Sequence, residues 1–224
     1  MMEVTFPHLQ LFKEVQFFPV GMSLDPQRSI SGAETVVPTL RGHWMASASF
    51  QLVGEADTLE WRSFLAQMEG RIGTTLVPAL SRFRPKDRDG HPLPFGDAAG
   101  LAHAQTWEHF GFQNTNIERM TVAANAPLRA MQIDVTLGDT TGIRPGQDFS
   151  IGDRLHRVQA HWQPDANTHR IMFTPALREA VAAGTKVEIE KPVCRMRFAT
   201  EQEGAFAESR EIGTIVTCNF VEAI

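Results

Sequence analysis

The sequence predicts a mainly β protein, and three observations carry that expectation. Residues 42–53 alternate Trp44, Ala46, Ala48, Phe50 and Leu52 with Met45, Ser47, Ser49 and Gln51, which is the pattern of a strand with one buried face. Residues 130–137 repeat it, with Met131, Ile133, Val135 and Leu137 facing one way and Gln132, Asp134 and Thr136 the other. Short β-rich runs bounded by turn residues recur at 15–20, 75–77, 147–151, 154–162, 170–173, 186–190, 193–198 and 213–221.

Only two helix signals stand against these. The first is placed at Asp57, whose carboxylate can accept from the free N–H groups of a first turn, with Glu60 three residues on completing a capping box. Trp61, Phe64, Leu65 and Met68 then fall at i, i+3, i+4 and i+7, one apolar stripe for packing on a sheet, and Gly70 supplies a left-handed stop. A shorter helix is expected after Thr174 as N-cap, with Pro175 at the first helical position, Leu177, Ala180 and Val181 on one side and Gly184 beyond its end.

Composition bounds the function classes. The chain has 224 residues, 42% of them hydrophobic and 21% charged, the balance of a folded globular protein with a sizeable core. No run approaches the roughly 18 apolar residues of a membrane span, and residues 1–15, with Glu3, His8 and Lys13 among the apolar positions, do not resemble a secretory signal. A net charge of −5 argues against affinity founded on neutralising phosphates, although a local basic patch is compatible with it. Cys194 and Cys218, with 23 residues between them, make neither a disulfide framework nor a CxxC zinc site and are expected to be buried thiols. With 15 Phe, 4 Trp and no Tyr, the chain lacks the residue that adhesive and sugar-binding surfaces use most.

A search for chemistry is mostly negative. Neither the Gly-x-Ser-x-Gly of a nucleophile elbow nor the Gly-x4-Gly-Lys-Ser/Thr of a phosphate loop occurs. His156 and His161, five apart on a strand, are expected to face opposite ways and to share no ion. His103 and His109 flank Glu108 and could share a face, so a small metalloenzyme built on these three is a competing expectation, tested by metal analysis of the purified protein. Asp87, Asp89 and Gly90 resemble the start of a calcium loop, but His91 and Pro92 follow where further oxygen ligands belong, and a tight turn is expected. No enzyme and no cofactor is predicted.

Residues 82–100 hold three Pro, three Gly and the cations Arg82, Arg84, Lys86 and Arg88, the composition of a long irregular excursion. Hydrophilic hinges at 125–127 and 200–210 bracket a strand-rich block, which argues for two domains.

In their order, these segments resemble the distal tail proteins and related tail-tip structural proteins of long, flexible-tailed bacteriophages. The resemblance is carried by SISGAETVVPTLRGHWMASASFQL, by EWRSFLAQMEGRIGTTLVPAL, by PGQDFSIGDRLHRV with RIMFTPALREAVAAGTKVEIEKPVCRMRF, and by the final TIVTCNFVEAI. Together these cover about two thirds of the chain, and the aromatic-led helix ending in Gly70 and Arg71 before a strand is the most specific piece.

The resemblance implies a β-sandwich or split-barrel domain over residues 1–126 and 205–224, closing with its neighbours into a six-fold ring and completed by the C-terminal strand. It implies an inserted OB- or galectin-like β-domain over residues 127–204 on the outside of that ring. The implied partners are five further copies of the chain, the tail tube protein and the hub or baseplate proteins, in a virion tail tip assembled in the host cytoplasm. DNA would pass through the channel only transiently, no membrane would be involved, and an acidic protein suits a lumen in which DNA must slide. The loop carrying Arg82, Arg84, Lys86 and Arg88 is the expected inter-subunit arm. A monomeric β-barrel binding glycan or single-stranded nucleic acid is the alternative, and it predicts exposed aromatics beside basic residues.

Overall fold

The computed structural model describes residues 3–7, 12–81, 83–93, 119–138, 140–165, 168–207 and 213–224. The fold is mainly β with one helix, built on two five-stranded antiparallel sheets. The first sheet takes the order β1 (Phe12–Val20), β4 (His43–Val53), β12 (Gly213–Glu222), β11 (Val193–Phe198) and β5 (Thr75–Pro78). The second takes β6 (Met120–Val122), β7 (Gln132–Leu137), β10 (His169–Thr174), β9 (Arg154–Trp162) and β8 (Asp148–Ile151). A two-stranded ribbon of β2 (Gln27–Arg28) and β3 (Glu34–Thr35) stands apart from both.

The order of the strands makes the second sheet an insertion between β5 and β11 of the first. Its boundaries differ from the expected 127 and 204. β6 belongs with the inserted sheet, and β11 returns to the first, where it pairs with both β12 and β5. The polar hinges misplaced the cut because both are turns inside a domain: residues 123–131 join β6 to β7, and residues 199–207 follow β11 on the way to β12.

In the first domain, Trp44, Ala46, Ala48, Phe50 and Leu52 of β4 face inward with Val216, Cys218 and Phe220 of β12 and Cys194, Met196 and Phe198 of β11. The helix α1 (Gly54–Met68) covers this face with Trp61, Phe64 and Met68, while Leu65 is half-buried at its margin. Burial drives both Cys thiols to a raised pKa and keeps them protonated.

The helix begins three residues earlier than Asp57. β4 runs straight into it through Gly54, whose φ of 82° is open to glycine and strained for other residues. Val53 is the N-cap residue and has no side-chain cap; Asp57 instead reaches back, its Oδ2 accepting the Val53 N–H at 2.8 Å. Asp57 therefore takes the role assigned to Glu60, and Glu60 sits too far along to serve the helix start. At the other end Glu69 already adopts the left-handed conformation at φ 45°, followed by Gly70 at φ 65°, so the stop is shared by two residues.

The second domain closes on itself. Residues 184–190 hydrogen-bond to β6 through Val187 N–H to the Met120 carbonyl and to β8 through a reciprocal pair between Ser150 and Glu188. The sheet's two edges are thus joined into a barrel around Ile133, Val135, Phe149, Val158, Ile171, Phe173 and Val187. The helix expected after Thr174 does not form. Its backbone is paired with the strand-like run before β7: Leu177 N–H donates to Ala130 O, and Ala126 and Val181 exchange both bonds. Those donors and acceptors are then no longer free for i to i−4 bonding.

A polar lock joins the domains. Trp44 Nε1–H donates to the Leu155 carbonyl at 2.7 Å, the Arg157 guanidinium lies 5.1 Å over the Trp44 ring, and the buried Glu222 accepts from the Trp44 N–H and from Arg154.

Candidate self-assembly surface

Between β1 and β4 the chain leaves the first domain as a long ribbon, residues 21–41. Its stem is tied by the Thr39 hydroxyl donating to Gly21 O at 2.6 Å and by Thr39 N–H donating to Met22 O. Further out, Leu24 N–H donates to Val37 O, β2 pairs with β3, and Arg28 meets Glu34 at 3.2 Å. Ser29 and Ala33 close the tip. Nine residues from stem to tip reach about 30 Å at the rise of a strand.

Nearly every residue of this ribbon is exposed, including five large apolar ones: Leu24, Ile30, Val36, Val37 and Leu40. A lone two-stranded ribbon is marginal in water, and clustered exposed aliphatic groups cost free energy until something covers them. Beside its root, β1 pairs only with β4 among the described residues, which leaves one edge of a nine-residue strand able to accept another.

The outward face of the first sheet has a second character. Ser47, Ser49 and Gln51 of β4 lie beside Thr217 and Asn219 of β12, with Gln16 of β1 adjoining Ser47 across the ladder. This patch is mostly polar, with Ser49 in contact with Thr217 at 3.3 Å. Its charges are acidic, Glu14 standing opposite Ser49 and Glu203 accepting from the Asn219 side chain, and the exposed Ile215 lies opposite Gln51.

The loop expected to be the inter-subunit arm packs on the barrel over its described part, residues 83–93. Leu93 is buried in the barrel core, the Lys86 carbonyl accepts from the Thr140 hydroxyl and the Thr141 N–H, and the Phe83 carbonyl accepts from Gln147. Arg84 is half-buried, Lys86 and Arg88 are exposed, and Arg82 lies outside the described residues. Over residues 83–93 the segment packs on its own barrel because Leu93 and Pro85 bury there, and residues 21–41 form a second, more exposed excursion. The sequence does hold a signal for it: 21 residues separate the strand expected at 15–20 from the one at 42–53, far more than a turn needs.

The remaining candidates resolve as follows. His103, Glu108 and His109 lie outside the described residues. His156 is in the barrel core, its Nδ1–H donating to the Pro175 carbonyl at 2.8 Å, while His161 contacts His169 at 3.0 Å on the half-buried side. Asp87, Asp89 and His91 bring ligand atoms within 4.8 Å of one another, yet Asp87 Oδ1 already accepts the His91 N–H, which holds its carboxyl below the usual range and makes the group a turn. Trp162 is partly exposed and stands opposite Arg170, whose guanidinium is held by both oxygens of Asp134.

No protein-family model matches this chain, and no curated protein matches it at a significant level.

Proposed function

We propose that this chain is a ring-forming structural subunit of the tail tip of a long, flexible-tailed bacteriophage, of the distal tail protein kind, joining the tail tube to the hub or baseplate. The observation that carries the reading is the apolar, exposed arm of residues 21–41 rooted beside the open edge of β1. In a closed ring each subunit lays its arm on the next, and every edge and every arm finds a partner.

Two further features support it. The first domain contains the earliest and the latest strands of the chain with the barrel inserted between them, the organisation that the resemblance to distal tail proteins implies. The Ser, Thr, Asn and Gln face of β4 and β12 holds no Lys or Arg and has Glu14 and Glu203 beside it, which suits the wall of a channel, since DNA slides past groups that do not grip phosphates. In this reading the function is assembly, carried out in the host cytoplasm and retained in the virion, with no chemical step.

The test is native mass by size-exclusion chromatography with light scattering, with negative-stain images of the same peak. Six copies of 24.9 kDa give about 149 kDa, and annular particles of that mass are expected. A chain that stays monomeric at high concentration, and that is also absent from purified tails of its parent particle, sinks the reading.

A further inference from the structure

At the root of the arm, where it meets the barrel, lies a cleft of about 450 Å³ with three arginines on its walls: Arg41, Arg129 and Arg178. Leu40 and Leu128 stand exposed in the same lining, and Leu177 is buried beneath. Three observations bear on what these arginines could hold.

The first is their lack of carboxylate partners. Arg119, Arg154, Arg157, Arg170 and Arg195 each hold a carboxylate, whereas among the described residues none of the three at the cleft does. Three like charges gathered on one concave surface repel, and an anion in their midst reverses the sign of that energy. In a chain with a net charge of −5 such a gathering is not a general basic surface.

The second is Arg178. One Nη of its guanidinium donates to the Gly42 carbonyl, which fixes the group in place, but its Nε is buried and has no acceptor. A buried donor without an acceptor is costly, so the guanidinium is held there by the fold and not by a carboxylate.

The third is Arg129, at φ 66°. That left-handed backbone favours glycine, and a long side chain held there is strained. Its N–H donates to the Leu177 carbonyl, so the conformation is built in, and a guanidinium is aimed from it at the cleft lining.

We propose that this cleft binds an acidic peptide segment that carries apolar side chains beside its carboxylates. Planar guanidinium forks match carboxylates in two-point fashion, and Leu40 and Leu128 give the flanking side chains a surface to cover. Nucleic acid fits less well, because the lining has no aromatic ring on which a base could stack and the cleft is bounded, not a groove that tracks a backbone. The proposal holds whether or not the chain closes into rings.

The experiment is fluorescence anisotropy on the full chain with a labelled peptide of alternating Glu and Leu, its Gln counterpart, and a single-stranded oligonucleotide. The Glu peptide is expected to bind in a salt-sensitive way, the Gln peptide at least about tenfold more weakly, and the R41E/R129E double variant to lose at least about tenfold in affinity for the Glu peptide. Arg129→Gly removes the guanidinium while suiting the left-handed backbone, so it should weaken binding with thermal stability kept or raised. That split separates recognition from a structural role. Absence of binding, equal binding of the Gln peptide, unchanged binding in both variants, or tighter binding of the oligonucleotide would each overturn the proposal.

Discussion

The inserted barrel and the first domain solve the same problem in opposite ways. The barrel joins its own edges through residues 184–190 and pairs several of its own charges, with Arg119 on Glu190, Arg157 on Asp148 and Arg170 on Asp134. The first domain has a heavier aromatic core, yet it leaves the edge of β1 open among the described residues and sends out an arm with five exposed aliphatic side chains. One domain closes its sheet within the chain; the other leaves a strand edge and an apolar arm uncovered among the described residues. Core quality and surface completeness are therefore independent, and mutations should separate them.

The largest effect is expected in the aromatic core of the first domain. Trp61 is fully buried, lies 4.5 Å from Phe50 and 5.5 Å from Phe64 between ring centres, and donates its indole N–H to the Gly204 carbonyl. Trp61→Ala should cost about 3–5 kcal/mol in urea unfolding, a large share of the roughly 5–15 kcal/mol of a typical fold. A loss under about 1 kcal/mol would show that the aromatic cluster does not carry the first domain.

Next comes Gly204, on the other side of the same indole. A Cβ there would stand 2.8 Å from Trp61 and 2.8 Å from the Cys218 sulfur, on a backbone with φ of 73°. Gly204→Ala should cost about 2–4 kcal/mol, from overpacking and left-handed strain together. A neutral result would mean that the turn after β11 can move away from the helix, and the first domain would then be looser than its core suggests.

The barrel supplies a pH-dependent counterpart. His156 is enclosed between Phe149 and Phe173, and burial, with Arg178 and Arg154 nearby, depresses its pKa from 6.5 to about 4. Because the folded value lies below the unfolded one, the stability is fully present above pH 6.5 and is lost as pH falls toward 4. Between pH 7 and pH 5 the loss should be about 2 kcal/mol. His156→Phe should flatten that slope in denaturant titrations, and an unchanged slope would assign the acid sensitivity to other groups.

The alternating strands could be read from the sequence nearly to the residue, as at His43–Val53 and Val193–Phe198, because a half-buried strand writes its burial into a period of two. The stripe of Trp61, Phe64 and Met68 was legible for the same reason at the helical period. The helix start was not, since Asp57 can serve a turn from either side and Gly54 leaves no apolar signal. Residues 175–184 carry every local mark of a capped helix, and only pairing with residues 126–130, about 50 positions away, overrides them. The arginine cleft was beyond sequence reading altogether. Arg41, Arg129 and Arg178 lie in three separate segments, and nothing local marks any of them as unpaired.

The smallest effect on stability should accompany the largest effect on assembly. Ile30, Val36 and Val37 touch water in the free chain, so Ile30→Ser, Val36→Ser and Val37→Ser together should change unfolding free energy by no more than about 0.5 kcal/mol. If the arm grips a neighbour, the same triple variant should remain monomeric under conditions where the parent chain forms the ring, because three aliphatic contacts per junction are removed six times over. Sedimentation of the two proteins at matched concentration decides the matter. A triple variant that assembles like its parent would place the junction on the β1 edge alone, and the contrast between a finished barrel and an unfinished domain would then rest on open backbone and not on the arm.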